Sequence, residues 1–274
     1  MSRTIDTGTE DFTATVSDGV AVLTMNRPAR RNAMSGGMLN GLQTALQDVE
    51  AATDVRCVVL TGAGGAFCAG GDVKGFAEGS ASAGSLSFDE RVHAQRLNQR
   101  ATAGALYRMP KPTIAVLPGA AAGAGLSLAL ACDLRIAVDT AVITTAFAKV
   151  GFSGDYGGSW FLTQVVGAAK ARELYFLSDR VTAPEALALG VLNMTFPAAE
   201  FEAGWQGIAA RLATGPSIAY RYMKENIARA AAGVDMIECL DMEALHHNHC
   251  GRTEDHLQAS KAFVEKREPM FQGR

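Results

Sequence analysis

The sequence predicts an α/β body followed by a helical tail, and three observations carry that expectation. Short β-rich runs alternate with helical patterns through about residue 197, which favours parallel strands joined by crossover helices. From about Glu200 onward the pattern is almost wholly helical, with no Gly/Ser linker before it. The chain has 274 residues and is 48% hydrophobic, long enough to bury roughly 75% of its unfolded surface without disulfide staples. The division expected is a core over 1–198 and a helical region over 199–274.

Taken in order, Phe12–Val16 and Val20–Met25 are β-rich runs joined by Asp18-Gly19, a dipeptide suited to a tight hairpin. Ser35 is placed to cap a helix whose apolar residues Met38, Leu42, Leu46 and Val49 recur at helical spacing. Cys57–Leu60 has the form of a buried strand closed by Thr61-Gly62-Ala63-Gly64-Gly65, and Thr113–Leu117 repeats it, closed by Pro118-Gly119. The apolar stretch 113–132 is interrupted by Pro118, Gly119, Gly123, Gly125 and Ser127, so it reads as strand, turn and buried helix rather than a membrane span. Leu134–Val138 and Val142–Thr145 are two further strands. Thr182-Ala-Pro-Glu185 has the spacing of a capping box opening a helix to about Leu189, ended by Gly190. Ala77–Arg91, rich in Gly, Ser and Ala, reads as a flexible stretch.

Composition narrows the function classes. The net charge of −3 argues against a general nucleic-acid binder, which needs a basic surface to displace counterions. The N-terminus has no apolar signal region. Cys57, Cys68, Cys132, Cys239 and Cys250 are odd in number and lack CxxC spacing, as expected of reduced thiols in a cytoplasmic protein.

Two glycine-bearing segments stand out as sites where backbone could approach a ligand closely. They are Phe67-Cys-Ala-Gly-Gly-Asp-Val-Lys74 and Pro118-Gly-Ala-Ala-Ala-Gly-Ala-Gly-Leu-Ser127. Brought together, two such turns can aim two N–H donors at one developing negative oxygen. Each segment alone fits tight packing equally well. Arg27, Arg30 and Arg31 form a local basic cluster suited to phosphates or to a solvated loop.

Read together, LTMNRPARRNAMS (23–35), VVLTGAGGAFCAGGDVKGF (58–76), KPTIAVLPGAAAGAGLSLALACDLRIA (111–137), RVTAPEALALGVLN (180–193) and HLQASKAFVEKREPMFQG (256–273) resemble the enoyl-CoA hydratase/isomerase (crotonase) family. The resemblance implies a ββα superhelical core with a C-terminal helical region that builds homotrimers or hexamers. It implies an acyl-CoA thioester substrate, with coenzyme A as part of the substrate and no prosthetic group. It maps one oxyanion donor to Ala69 or Gly71 and the other to Ala124. Coenzyme A contacts map to Arg27, Arg30, Asp72 and Lys74 and to the backbone around Ala33, Ala69 and Val73, with Asp72 more a structural carboxylate than a catalyst. Phe263 and Lys266 map to contacts with the coenzyme A of a neighbouring subunit.

The chain departs from the hydratases of that family. Their two glutamates fall at Ser127 and Phe147 here, whereas adding water across a double bond needs one group to activate the water and another to supply a proton. Lys149-Val-Gly-Phe-Ser-Gly-Asp155-Tyr-Gly-Gly158 resembles the loop where isomerase members and a chlorobenzoyl-CoA dehalogenase carry a catalytic aspartate, although Gly154 stands where proline is usual. Asp155 as a single proton shuttle suits double-bond migration, and the likeness is greatest to enoyl-CoA isomerase and epoxyphenylacetyl-CoA isomerase-like members. Hydration by another acid, nucleophilic attack by Asp155, a silent acyl-CoA binder and a helix-capping Asp155 remain open alternatives. The His246-His247-Asn-His249-Cys250 run puts His246 and Cys250 on one helix face, but a polar helix surface or subunit contact is the favoured reading over a metal site.

Overall fold

The computed structural model describes residues 2–72 and 86–274. Val73 and Lys74, and most of the stretch read as flexible, lie outside them. Three strands, β1 (Arg3–Ile5), β2 (Phe12–Ser17) and β3 (Val20–Met25), pair antiparallel. Asp18 and Gly19 take φ of 51° and 81°, the left-handed pair that a two-residue hairpin turn requires. β4 (Cys57–Gly62), β5 (Thr113–Leu117), β7 (Leu134–Val138) and β10 (Met194–Phe196) then extend the sheet in parallel from β3. β6 (Ala121–Ala122), β8 (Val142–Thr144) and β9 (Val181–Thr182) form a smaller sheet.

Helix α1 (Gly36–Ala51) connects β3 to β4 and buries Met38, Leu42, Leu46 and Val49 on one face. Ser35 Oγ accepts the Met38 N–H at 3.0 Å, as its cap position predicts. Helices α2 (Phe88–Ala101) and α3 (Ala103–Arg108) precede β5. The helix begins inside the segment read as flexible: Ser87 Oγ accepts the Glu90 N–H at 3.3 Å and Glu90 Oε2 accepts the Ser87 N–H at 2.7 Å. That reciprocal box fixes residues 87–91. Helix α4 (Ala124–Leu130) is buried along its whole length, and α5 (Gly158–Leu177) follows a short 3-10 turn at Phe147–Val150. In α6 (Ala183–Ala188) Glu185 reaches back to the Thr182 N–H at 2.8 Å.

The tail comprises α7 (Ala198–Ala213), α8 (Ser217–Ala231), α9 (Met236–Cys250) and α10 (Glu254–Glu265). Phe201, Trp205, Ala209 and Ala213 share one face of α7 and are buried, where the helix packs on β3, β4, β7 and β10. Its first helix is therefore part of the body's core. His246 stacks on Tyr222 and its Nδ1 lies 2.6 Å from Asn226 Oδ1, so α8 and α9 are joined through it. The last residues fold back over α10. Asp255, itself buried, accepts the N–H groups of Gln272 and Gly273 at 2.6 and 2.8 Å, and Arg56 donates to the Phe271 carbonyl at 2.9 Å. Asp255→Ala would leave two N–H groups without acceptors, at about 1–3 kcal/mol. A lowered midpoint in urea with an unchanged slope is the expected result. Among the described residues, no helix is long and apolar enough to cross a membrane.

Candidate active site

The site is assembled where the two glycine-bearing turns meet. Beyond β4 the chain passes through Phe67 and Cys68, whose N–H groups both donate to the Ala120 carbonyl, at 3.0 and 3.3 Å. Ala122 N–H returns a bond to the Cys68 carbonyl at 2.9 Å. Asn32, fully buried at φ 55°, braces the first turn from below. Its Nδ2 donates to the carbonyls of Ala63 and Ala66 at 2.9 and 2.8 Å, and its Oδ1 accepts the Arg27 N–H at 2.9 Å.

This zipper sets Gly70 against the start of α4: a Cβ on Gly70 would stand 3.4 Å from the Ala124 nitrogen. Gly125 is required here by space, because a Cβ on it would fall 2.5 Å from the Cys68 carbonyl oxygen. Cys68 Sγ donates to the Asn32 carbonyl at 3.0 Å and accepts the Gly70 N–H at 3.4 Å. Burial pushes its thiol up to about 12.

One N–H group on each of the two turns is left over. Among the described residues, no acceptor takes the N–H of Gly71 or that of Ala124. Ala69 is different: its N–H donates to the Arg31 carbonyl at 2.9 Å. This corrects the alternative that placed a donor at Ala69, since a group already bonded to the backbone is not available to a ligand.

The third part comes from the loop before α5. Gly154, Tyr156 and Gly157 all have positive φ, of 109°, 50° and 74°, which turns the chain sharply around Asp155. Tyr156 N–H donates to Gln99 Oε1 at 2.9 Å, and Gly158 N–H donates to the Asp155 main-chain carbonyl at 3.0 Å. The Asp155 carboxyl does not cap α5. The helix's N-cap is Gly157 and has no side-chain cap, and Asp155 Oδ1 is buried with no hydrogen-bond partner among the described residues. Burial raises its pKa from 3.8 to about 6 by penalising the charged form.

The loop rests on α4. A Cβ on Gly158 would lie 2.2 Å from Ser127 Oγ and 2.7 Å from Tyr175 Oη, so glycine alone lets these groups converge. Ser127 Oγ turns back to the Gly123 carbonyl at 3.3 Å. Phe147 stacks on Tyr175 with centroids 5.8 Å apart. Burial, and next the Asp155 charge, push the Tyr175 phenol up to about 12, so Tyr175 is a neutral donor at neutral pH. The positions of the two hydratase glutamates are thus a back-bonded hydroxyl and a buried ring.

A cleft of about 540 Å3 opens over the first turn, lined by Ala29, Arg30, Arg31, Ala33, Ala69, Gly71 and Asp72. Arg30 and Arg31 are exposed along it. Arg27 is held away, donating to the Ala33 carbonyl at 2.6 Å and pairing with Asp72 at 3.5 Å and Asp11 at 3.6 Å. Of the basic cluster it is the structural member. Asp72 is its ion-pair partner, as a structural carboxylate would be. Phe263 and Lys266 belong to α10 and the residue that ends it, and Phe263 is 85% exposed; neither lines the cleft. An apolar cleft of about 450 Å3 beside Tyr107, Trp160 and Ile227 contains none of the candidate residues.

A buried carboxyl on the loop that packs against α4, whose first N–H is unsatisfied among the described residues, suits removal of a proton next to a carbonyl. Family comparison supplies the class. The sequence matches the enoyl-CoA hydratase/isomerase family model over residues 15–274. The chain belongs to the enoyl-CoA hydratase/isomerase family. It is 37% identical over 259 residues to a Rhodobacter capsulatus protein named as an enoyl-CoA hydratase, covering 94% of this chain and 96% of that one. It is 34% identical over 260 residues to the 1,2-epoxyphenylacetyl-CoA isomerase of Escherichia coli, covering 94% and 97%. The crystal structure of an enoyl-CoA hydratase from Bacillus anthracis superposes with a TM-score of 0.87 at 31% identity, covering 96% of this chain and 100% of that one. This family member is an acyl-CoA enzyme with the family's α/β fold, and relatives of both named reactions match it along nearly its whole length.

The sequence reading missed Gln99, Tyr175 and Asn32. Asn32 lies inside the NRPARRNAMS segment and its burial was not legible there. Gln99 reaches the loop from α2 and Tyr175 from the far end of α5, and no local pattern marks them.

Proposed function

We propose that the chain isomerises the double bond of an enoyl-CoA, moving it into conjugation with the thioester. The observation that carries this reading is the Asp155 carboxyl, whose Oδ1 is buried with no hydrogen-bond partner among the described residues. In this mechanism the thioester oxygen accepts the N–H groups of Gly71 and Ala124. Asp155 removes a proton from the carbon next to the carbonyl. Electrons move into the dienolate, whose oxygen the two donors stabilise, and Asp155 returns the proton to the carbon two positions further on. One proton leaves and one returns, so a single carboxylate suffices. Hydration asks for a second group, and the positions of the hydratase glutamates hold Ser127 and Phe147. Arg30 and Arg31 would meet coenzyme A phosphates, with Ala33, Asp72, Val73 and Lys74 along its path. Phe263 and Lys266 are free to reach the coenzyme A of a neighbouring subunit in a trimer or hexamer.

The base form is needed, so kcat/KM is expected to be level above the Asp155 pKa of about 6 and to fall about tenfold per pH unit below it. A profile flat to pH 4.5 would exclude Asp155 as the base. The reaction itself is tested by mass-resolved product analysis in deuterated water with 3-enoyl-CoA and 2-enoyl-CoA in parallel. Conversion of the 3-enoyl ester to its conjugated isomer is the expected result. A 2-enoyl product heavier by one water would make the enzyme a hydratase and overturn the proposal.

A further inference from the structure

We propose that Gln99 is the positioning residue of Asp155, acting through the peptide that joins Asp155 to Tyr156. The inference rests on the reading of Asp155 as the acid–base group and adds a residue that this reading does not contain.

Asp155 Oδ1 is buried without a hydrogen-bond partner among the described residues. Its aim must therefore come from its backbone. Tyr156, the next residue, holds φ of 50°, a left-handed conformation that a bulky side chain adopts only where its surroundings enforce it. Two contacts enforce it. The Tyr156 ring is buried in the core, and its N–H donates to Gln99 Oε1 at 2.9 Å. The second fixes the rotation of the peptide plane from which the Asp155 side chain projects.

Gln99 is unusual in its setting. Helix α2 has no buried residue, so apolar packing does little to hold it. The neighbouring Asn98 accepts from Gln43 Nε2 of α1 at 2.9 Å. Helix α2 is thus tied on one side to α1, which begins just beyond Ala33 of the cleft, and on the other to the acid loop. A displacement of the acid by a fraction of an ångström is enough to matter, because misplacement by about 1 Å costs on the order of 100-fold in rate.

Gln99→Leu removes the acceptor and Gln99→Glu keeps one. With 3-enoyl-CoA, Gln99→Leu is expected to lower kcat by about 10–100-fold with KM changed less than about twofold. Gln99→Glu is expected to retain kcat within about threefold, while its added charge moves the acid limb of the pH profile upward, since a like charge raises the Asp155 pKa. A Gln99→Leu enzyme with wild-type kcat would overturn the proposal. So would a Gln99→Glu enzyme as slow as Gln99→Leu with the limb unmoved. If Gln99→Leu does not fold, Gln99→Glu alone decides by the pH limb. The underlying reading fails separately, through wild-type turnover in Asp155→Asn.

Discussion

Asp155→Asn is expected to lower kcat by about 10²–10⁴-fold while raising the melting temperature at neutral pH. The two effects share one cause. Asparagine cannot carry the transferred proton, and it does not place a charge where the fold disfavours one. The folded pKa of about 6 lies above the ordinary 3.8, so the folded chain binds this proton more tightly than the unfolded chain. The carboxylate therefore opposes folding increasingly as pH rises from about 3.8 to about 6, and fully above that. At pH 3 the stability advantage of the asparagine variant should vanish. Acyl-CoA binding, read by calorimetry, should stay within about threefold of the wild type, since the N–H donors are untouched. A capping aspartate would behave oppositely: its loss lowers stability by about 0.5–2 kcal/mol and leaves the rate alone. Melting and turnover of one variant thus separate catalytic from structural use of this side chain.

The second large effect is expected from Gly125→Ala. The added Cβ would meet the Cys68 carbonyl oxygen at 2.5 Å, its Cβ at 2.6 Å and its Sγ at 2.9 Å. The first of these is backbone already bonded to Ala122, so it cannot swing aside. The two turns must part instead, and with them the N–H groups of Gly71 and Ala124. Overpacking of this kind costs about 1–3 kcal/mol, or a fall in melting temperature of roughly 2–4 °C for each kcal/mol in a chain of this class. The rate should fall further than stability suggests, by about 10²–10³-fold, because a displaced donor no longer meets the developing oxyanion. Tight binding of an enolate-mimicking acyl-CoA analogue should weaken in step with kcat. Unchanged affinity for such an analogue would place the oxyanion donors elsewhere.

Local features of the fold were legible in the sequence where local chemistry dictates them. Asp18-Gly19 specified its hairpin, Ser35 its helix start, and Thr113–Leu117 a strand buried on both faces. Ser87 and Glu90 carried an equally plain capping signal, masked by the Gly/Ser/Ala-rich run around it. What was not legible depends on groups that meet only after folding. Whether Ala69 or Gly71 offers a free N–H is decided by the Arg31 carbonyl. Which arginine faces the cleft is decided by Asp11 and Asp72 drawing Arg27 aside. That the Asp155 side chain does not cap α5 is decided by Gly157 taking the N-cap place, and sequence spacing alone fits either outcome.

The buried thiol of Cys68 bears on selectivity. A thiolate beside a thioester carbonyl would exchange with it and leave the acyl group on the protein, a side reaction that ends turnover. Held by Asn32 and Gly70 and pushed up to about 12, this sulfur stays neutral at neutral pH, since only the ionised form attacks. The wall of the proposed oxyanion hole is thereby chemically silent. The fold keeps this cysteine as packing.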